Sequence, residues 1–169
     1  STLHTYLTRY FLAGTLSSNT GVYGPVYELM VSEALPAREE YHNSEKFEIG
    51  NWDWNQRNAI TELYTKLNAS RKKYKALQRT NNITFLEIDN LQLLAYIKIG
   101  IDGSKVICVV SLDGNSQQMG QLLIVHVRTA VLNNFNVLAN LSSQSQHERG
   151  SEWPIRTSAR SPDQRGIIC

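Results

Sequence analysis

The stretch EEYHNSEKFEI, residues 39–49, sets five charged side chains and two aromatic rings in eleven positions, directly before the tryptophan pair of NWDW. Lys46 and Phe47 stand side by side in it. An ammonium donates hydrogen bonds to sugar hydroxyls, and a ring packs on the apolar face of a sugar. The same mixture also serves an ordinary surface loop. Carboxylates are plentiful between Glu28 and Asp53, and a retaining glycosidase needs two of them about 5 Å apart as nucleophile and acid. Glu39 and Glu40 are adjacent and point apart, so solubility and salt bridges explain them better than a catalytic pair.

Other chemistries find no footing. The sequence holds no G-x-S-x-G elbow, no C-x-x-C or H-E-x-x-H metal pattern, and neither glycine-rich phosphate motif. His4, His42, His126 and His147 lie far apart, so no metal and no cofactor is expected. Seventeen basic against fifteen acidic residues leave a net charge of +2, too even for a nucleic-acid stripe or a polybasic membrane anchor. No apolar run approaches a membrane span, and no leader pattern is visible. With Cys108 in an apolar run and Cys169 at the end, no disulfide framework is legible, which points to a reducing, cytoplasmic setting. The three N-x-S/T triplets, at Asn68, Asn82 and Asn140, are chance patterns without an export signal. The opening on Ser1 and a helical pattern reads as a cut from something longer.

The elements that must hold the charged loop follow from periodicity. Leu3, Leu7, Tyr10, Phe11 and Gly14 recur at helical steps, predicting a helix that ends near Ser17. Val22 and Tyr23, between Gly21 and Gly24-Pro25, read as a brief buried strand. From Val31 to Asn55 neither period is present, yet Tyr41, Phe47, Trp52 and Trp54 mark an ordered loop. Ile60, Leu63 and Leu67, with Tyr64 and Tyr74, form the stripe of a second helix. It ends in the basic run Arg71–Lys75, read as a solvated helix end whose charge suits the dipole. After Gln78, ITFLEI, QLLAYIKI, KVICVVSL and GQLLIVHV alternate with DN, GIDGS and DGNSQQM, the texture of antiparallel hairpins. GIDGSK is one such hairpin turn. Beyond Val127 no period holds and no lysine occurs after Lys105; a divergent folded end, a disordered tail and a slipped reading frame all fit.

AGTLSSNTGVYGPVYEL, REEYHNSEKFEI, NWDW and ITELYTKLNASRKKYKALQ, in this order, resemble the bacterial α-1,4-glucan:maltose-1-phosphate maltosyltransferases, a branch of the α-amylase superfamily. The resemblance spans about Leu7 to Leu123, and the E-E-Y-x-x-S-E-K block is its most specific part. It implies an α/β plus β chain: the last βα unit of a (β/α)8 barrel in residues 1–78, then a partial C-terminal antiparallel β-sandwich in 82–127, with 128–169 a divergent or frame-shifted tail. Barrel enzymes carry their sites on loops at the C-terminal ends of strands, where the loop from Val31 to Asn55 would sit. In the family the Lys-Tyr pair of this block contacts the maltosyl donor, which assigns substrate binding to Lys46 and Phe47. Phe47 lacks the family's phenolic hydroxyl, and His42-Asn43 replaces its Leu-Asp.

The resemblance further implies retaining transfer of maltosyl units from α-maltose 1-phosphate to the non-reducing end of α-1,4-glucans, in a cytoplasmic homodimer. The carboxylates for that chemistry would lie on earlier barrel strands, leaving no catalytic residue in this chain and no activity by itself. After Leu123 the family's D-x-x-T-G-x-x-Y-x-W segment is missing. Two other readings stay open: a non-catalytic carbohydrate-binding β-sandwich with exposed tryptophans, and a piece of an α-amylase-type glycoside hydrolase.

Overall fold

In the computed structural model, residues 2–31, 33, 35–37, 49–123, 136–140 and 165–168 are described. Two long helices, α1 (Thr2–Leu16) and α3 (Ala59–Lys73), flank a short one, α2 (Gly24–Glu28). A 3-10 turn, Lys75–Gln78, leads into strands β1 (Ile83–Ile88), β2 (Leu93–Ile99), β3 (Lys105–Ser111) and β4 (Gly120–Leu123), with β5 (Asn136–Asn140) and β6 (Arg165–Ile168) beyond. Both long helices and the four predicted strands therefore form where periodicity places them.

The strands make one six-stranded sheet in the order β5-β3-β2-β1-β4-β6. Every pairing is antiparallel except β3–β5, which is parallel. That exception departs from the purely antiparallel expectation, and the connection between β3 and β5 is long enough for the crossover it needs. Strand β1 gives Ile83–Leu86 to β2 and Glu87–Ile88 to β4 on its other edge. Leu122 of β4 nevertheless packs in one cluster with Ala95, Ile97, Ile107 and Val109 of the central strands, so the sheet curls over itself.

Side-chain alternation divides the sheet's two faces. Tyr96, Val106, Cys108 and Val110 share a core with Phe11 of α1 and Ala76 and Leu77 of the 3-10 turn, with Leu63 and Tyr74 at its border. The intervening residues supply the second cluster. Between β2 and β3, GIDGS forms the predicted turn: Gly103 takes φ +77, open to glycine without steric cost, and donates to the carbonyl of Gly100 at 3.0 Å.

Helix α1 meets its surroundings along a line that apolar periodicity does not show. His4, Thr8, Phe11 and Thr15 are buried, one turn apart each, whereas Leu3 and Leu7 are only half-buried. Thr8 Oγ1 donates to the Ser111 carbonyl at 3.4 Å, and Thr15 Oγ1 donates to the Phe11 carbonyl at 2.6 Å. The Tyr96 hydroxyl, 2.5 Å from Thr15 Oγ1, is then the donor in that pair. At Gly14 a Cβ would stand 2.6 Å from Leu67 Cδ2, so the absence of a side chain lets α1 and α3 touch.

The C-terminal carbonyls of α1, which lack partners within the helix, accept from two cations. Lys98, fully buried on β2, donates from Nζ to Thr15 O at 2.8 Å, Leu16 O at 3.3 Å and Arg79 O at 2.5 Å. Arg71 of α3 donates to Gly14 O, Ser17 O and Ser18 O. Thus only Lys72, Lys73 and Lys75 of the predicted basic helix end are exposed. Arg71 is a clamp between helices.

Val22 and Tyr23 form no strand. Tyr23 is exposed and precedes α2 with φ −79 and ψ 92; extended backbone becomes a strand only beside another, and among the described residues none pairs with it.

Candidate functional site

The predicted donor-contacting pair, Lys46 and Phe47, lies outside the described residues, as do Glu39, Glu40, His42 and Asn43. What the structure does define is the frame from which that loop departs and to which it returns.

The departing end is α2. Pro25 sits in its first turn, where a missing N–H costs nothing. Val31 N donates to Val26 O at 2.9 Å, and Met30 takes φ 54, turning the chain out of the helix. Tyr27 anchors α2 to the long helices: its hydroxyl donates to Tyr6 O at 2.6 Å, and its ring stands edge-on to Tyr6 with centroids 4.8 Å apart. Tyr10 and Tyr64 complete the cluster at 4.1 Å. Burial, with the Glu28 carboxylate and neighbouring tyrosines, holds the Tyr64 hydroxyl well above the usual phenol range, so it stays protonated as a structural group.

The returning end is Asn58. Its Oδ1 accepts from Ile60 N at 2.9 Å and Thr61 N at 3.1 Å, while Thr61 Oγ1 accepts from Asn58 N at 3.0 Å, a reciprocal cap of α3. The remaining amide donor, Nδ2, reaches across to the carbonyl of Glu28 at 2.7 Å. One side chain thereby starts α3 and ties it to the end of α2. The Asn-x-x-Thr spacing of NAIT carried the cap in the sequence; nothing there carried the tie to Glu28.

Beside this frame lies a cleft of about 370 Å³ at the first turns of α3, with Trp54, Arg57, Glu62, Thr65 and Lys66 in its walls. Trp54 is 74% exposed. Asp53 fixes its turn, accepting from Asn55 N at Oδ1 (3.0 Å) and from Gln56 N at the carbonyl (3.2 Å). Trp52 is half-buried. Both described tryptophans therefore sit on the loop, not on the sheet where a sandwich-borne sugar site would need them. Among the described residues no helix is long and apolar enough to cross a membrane.

Comparison with known proteins gives a consistent answer. The chain is 49% identical over 111 residues to the α-1,4-glucan:maltose-1-phosphate maltosyltransferase of Methylacidiphilum infernorum. It is 41% identical over 124 residues to that of Chlorobaculum tepidum, and 40% identical over 116 residues to that of Salinibacter ruber. The chain matches maltosyltransferases. These alignments take in 64–69% of the chain but only 17–18% of each maltosyltransferase, so the similarity is to a segment of a much longer enzyme. No model of a protein family matches the sequence. The resemblance carried by the E-E-Y-x-x-S-E-K block is thereby borne out.

Proposed function

We propose that the chain is the C-terminal piece of a maltosyltransferase that moves maltosyl units from α-maltose 1-phosphate to the non-reducing end of α-1,4-glucans with retention. In this reading residues 1–78 close a (β/α)8 barrel and residues 82–127 begin a β-sandwich, leaving 128–169 as a divergent tail. Lys46 donates to donor hydroxyls and Phe47 packs on a sugar face. The nucleophile and the acid-base carboxyl belong to earlier barrel strands, the enzyme works as a cytoplasmic homodimer, and this chain alone turns over nothing.

The observation that carries the reading is the 49% identity over 111 residues to an enzyme of which the match spans 17%. Supporting it, the loop that holds Lys46 runs between α2 and α3, whose ends Asn58 joins. The α-amylase-type hydrolase is the weaker alternative, because the relatives that match are maltosyltransferases.

The test has two arms. The purified chain, incubated with α-maltose 1-phosphate and maltodextrin, is expected to release no phosphate; release would overturn the assignment of its carboxylates elsewhere. In the complete enzyme, Lys46→Ala is expected to raise KM for maltose 1-phosphate about tenfold and to leave maltodextrin binding unchanged. An unchanged KM would remove Lys46 from the site.

A further inference from the structure

Three main-chain carbonyls converge on one nitrogen where the helices meet the sheet. Thr15 O and Leu16 O at the end of α1, and Arg79 O after the 3-10 turn, surround Lys98 Nζ of β2 at 2.8, 3.3 and 2.5 Å. We propose that these carbonyls form a binding site for a primary ammonium, that the chain fills it with its own Lys98 side chain, and that this charged joint holds α1 to the sheet. The site is built without the loop that carries Lys46, so it stands or falls apart from the maltosyltransferase reading.

The way α1 ends leaves these oxygens open. The last four carbonyls of a helix find no donor within it, and the two N–H groups that would extend α1 turn to hydroxyls instead: Ser18 N donates to Thr80 Oγ1 at 3.0 Å and Asn19 N to Ser17 Oγ at 3.3 Å. The freed carbonyls lie at the negative end of the helix dipole, where a cation is favoured. Among the described residues no carboxylate bonds Lys98, so carbonyl oxygens rather than an acid receive its charge. Burial pulls the pKa of Lys98 below the ordinary 10.5, yet the number of acceptors decides its form. A neutral amine has two N–H donors and would turn its lone pair toward the remaining carbonyl; an ammonium has three donors and no lone pair. Three acceptors therefore match the ammonium alone. Lys98 as a residue is fully buried, but its bonds to Leu16 O and Arg79 O are only partly buried, which puts the site within reach of a small solute once the side chain is removed.

Lys98→Ala keeps the three carbonyls and deletes Cγ, Cδ, Cε and Nζ, the heavy atoms of n-propylammonium. In urea titrations of this chain its folding equilibrium constant should fall, and n-propylammonium chloride should raise it again saturably, about tenfold at about ten times the dissociation constant. Tetramethylammonium, a cation without N–H donors, and n-propanol, a similar stem without the charge, should not. Lys98→Met refills the space with an uncharged stem and should gain nothing from n-propylammonium. Should Lys98→Ala fail to fold in buffer, n-propylammonium should restore a cooperative unfolding transition. An undiminished Lys98→Ala, no recovery with n-propylammonium, or equal recovery with tetramethylammonium or n-propanol overturns the proposal. The unaltered chain gives a second measurement. Labelled with nitrogen-15 at lysine, it should show at pH 7 one Nζ bearing three slowly exchanging protons, absent from Lys98→Met; an Nζ bearing two, or no protected signal, overturns the charged joint.

Discussion

The side-chain amide of Asn58 donates to the carbonyl oxygen of Glu28 at 2.7 Å across thirty positions of chain, while its oxygen caps α3. These two duties use different atoms, and substitution can separate them. Aspartate keeps the capping oxygen and loses the amide donor; alanine loses both.

Asn58→Ala should therefore cost about 2 kcal/mol, the sum of a lost cap and a lost hydrogen bond. Asn58→Asp should cost about 1 kcal/mol, since its cap survives. Urea denaturation of the chain gives both values. Equal losses would mean that the bond to Glu28 contributes nothing.

Lys98 and Arg71 serve the same helix end from different environments, which predicts unequal importance. Lys98 is fully buried and so is its bond to Thr15 O, where water cannot replace it; its bonds to Leu16 O and Arg79 O are partly buried. Lys98→Met should cost about 3 kcal/mol, because one buried carbonyl is left unpaired and two partly buried ones lose their donor. Arg71 is half-buried and none of its bonds to Gly14 O, Ser17 O and Ser18 O is fully buried, so Arg71→Met should cost only about 1 kcal/mol. A smaller loss at Lys98 than at Arg71 in parallel urea titrations would reverse this ordering.

Those two cations also show where sequence reading stops. Helices α1 and α3 and strands β1 to β4 were legible because their apolar residues repeat at steps that only one element satisfies. Lys98 was not, since a lysine in an alternating strand reads as solvent-facing, and its true partners, Thr15 and Leu16, are more than eighty residues away. The inward line of α1 was hidden for the same reason. His4, Thr8 and Thr15 look solvent-facing by type, and the partners that Thr8 and Thr15 find in Ser111 and Tyr96 lie in β2 and β3. The parallel β3–β5 pairing was likewise closed to local reasoning. At the candidate site the tryptophan pair was legible in the sequence, whereas the Asn58 cap went unread and the cleft that sets Trp54 beside Arg57 and Lys66 depends on how the turn at Asp53 meets α3.

His4 predicts a pH dependence. Burial pulls its pKa below the ordinary 6.5, with the chain's amino terminus acting in the same direction and Asp113 and the Ser111 backbone opposing. The folded state thus binds this proton less readily than the unfolded state, so stability should be complete above pH 6.5 and decline as pH falls below it. The slope for one proton is at most about 1.4 kcal/mol per pH unit. Asp102 and Asp113, both held below the ordinary 3.8, titrate well under this window. His4→Gln should flatten the decline between pH 6.5 and 5; an unchanged slope would assign it to another group.

Cys108 should be chemically silent in the folded chain. It is fully buried between Tyr96 and Val110 in the helix-facing core. Burial pushes its thiol up to about 12, against the smaller opposing effects of Lys98, Tyr96 and Thr15. At pH 8 the thiolate that alkylating reagents require is then present in only about one part in ten thousand. In a Cys169→Ser background, a maleimide should leave the native chain unlabelled at pH 8 and label it once per molecule in urea. Raising the pH toward 10 without denaturant should add little label until the fold itself opens, because access and ionisation are blocked by the same packing. Lys98→Met removes a cation that favours the thiolate but loosens the end of α1 above this core, and through that added access should bring the first detectable native labelling; prompt labelling of the unaltered chain would show that Cys108 is not enclosed.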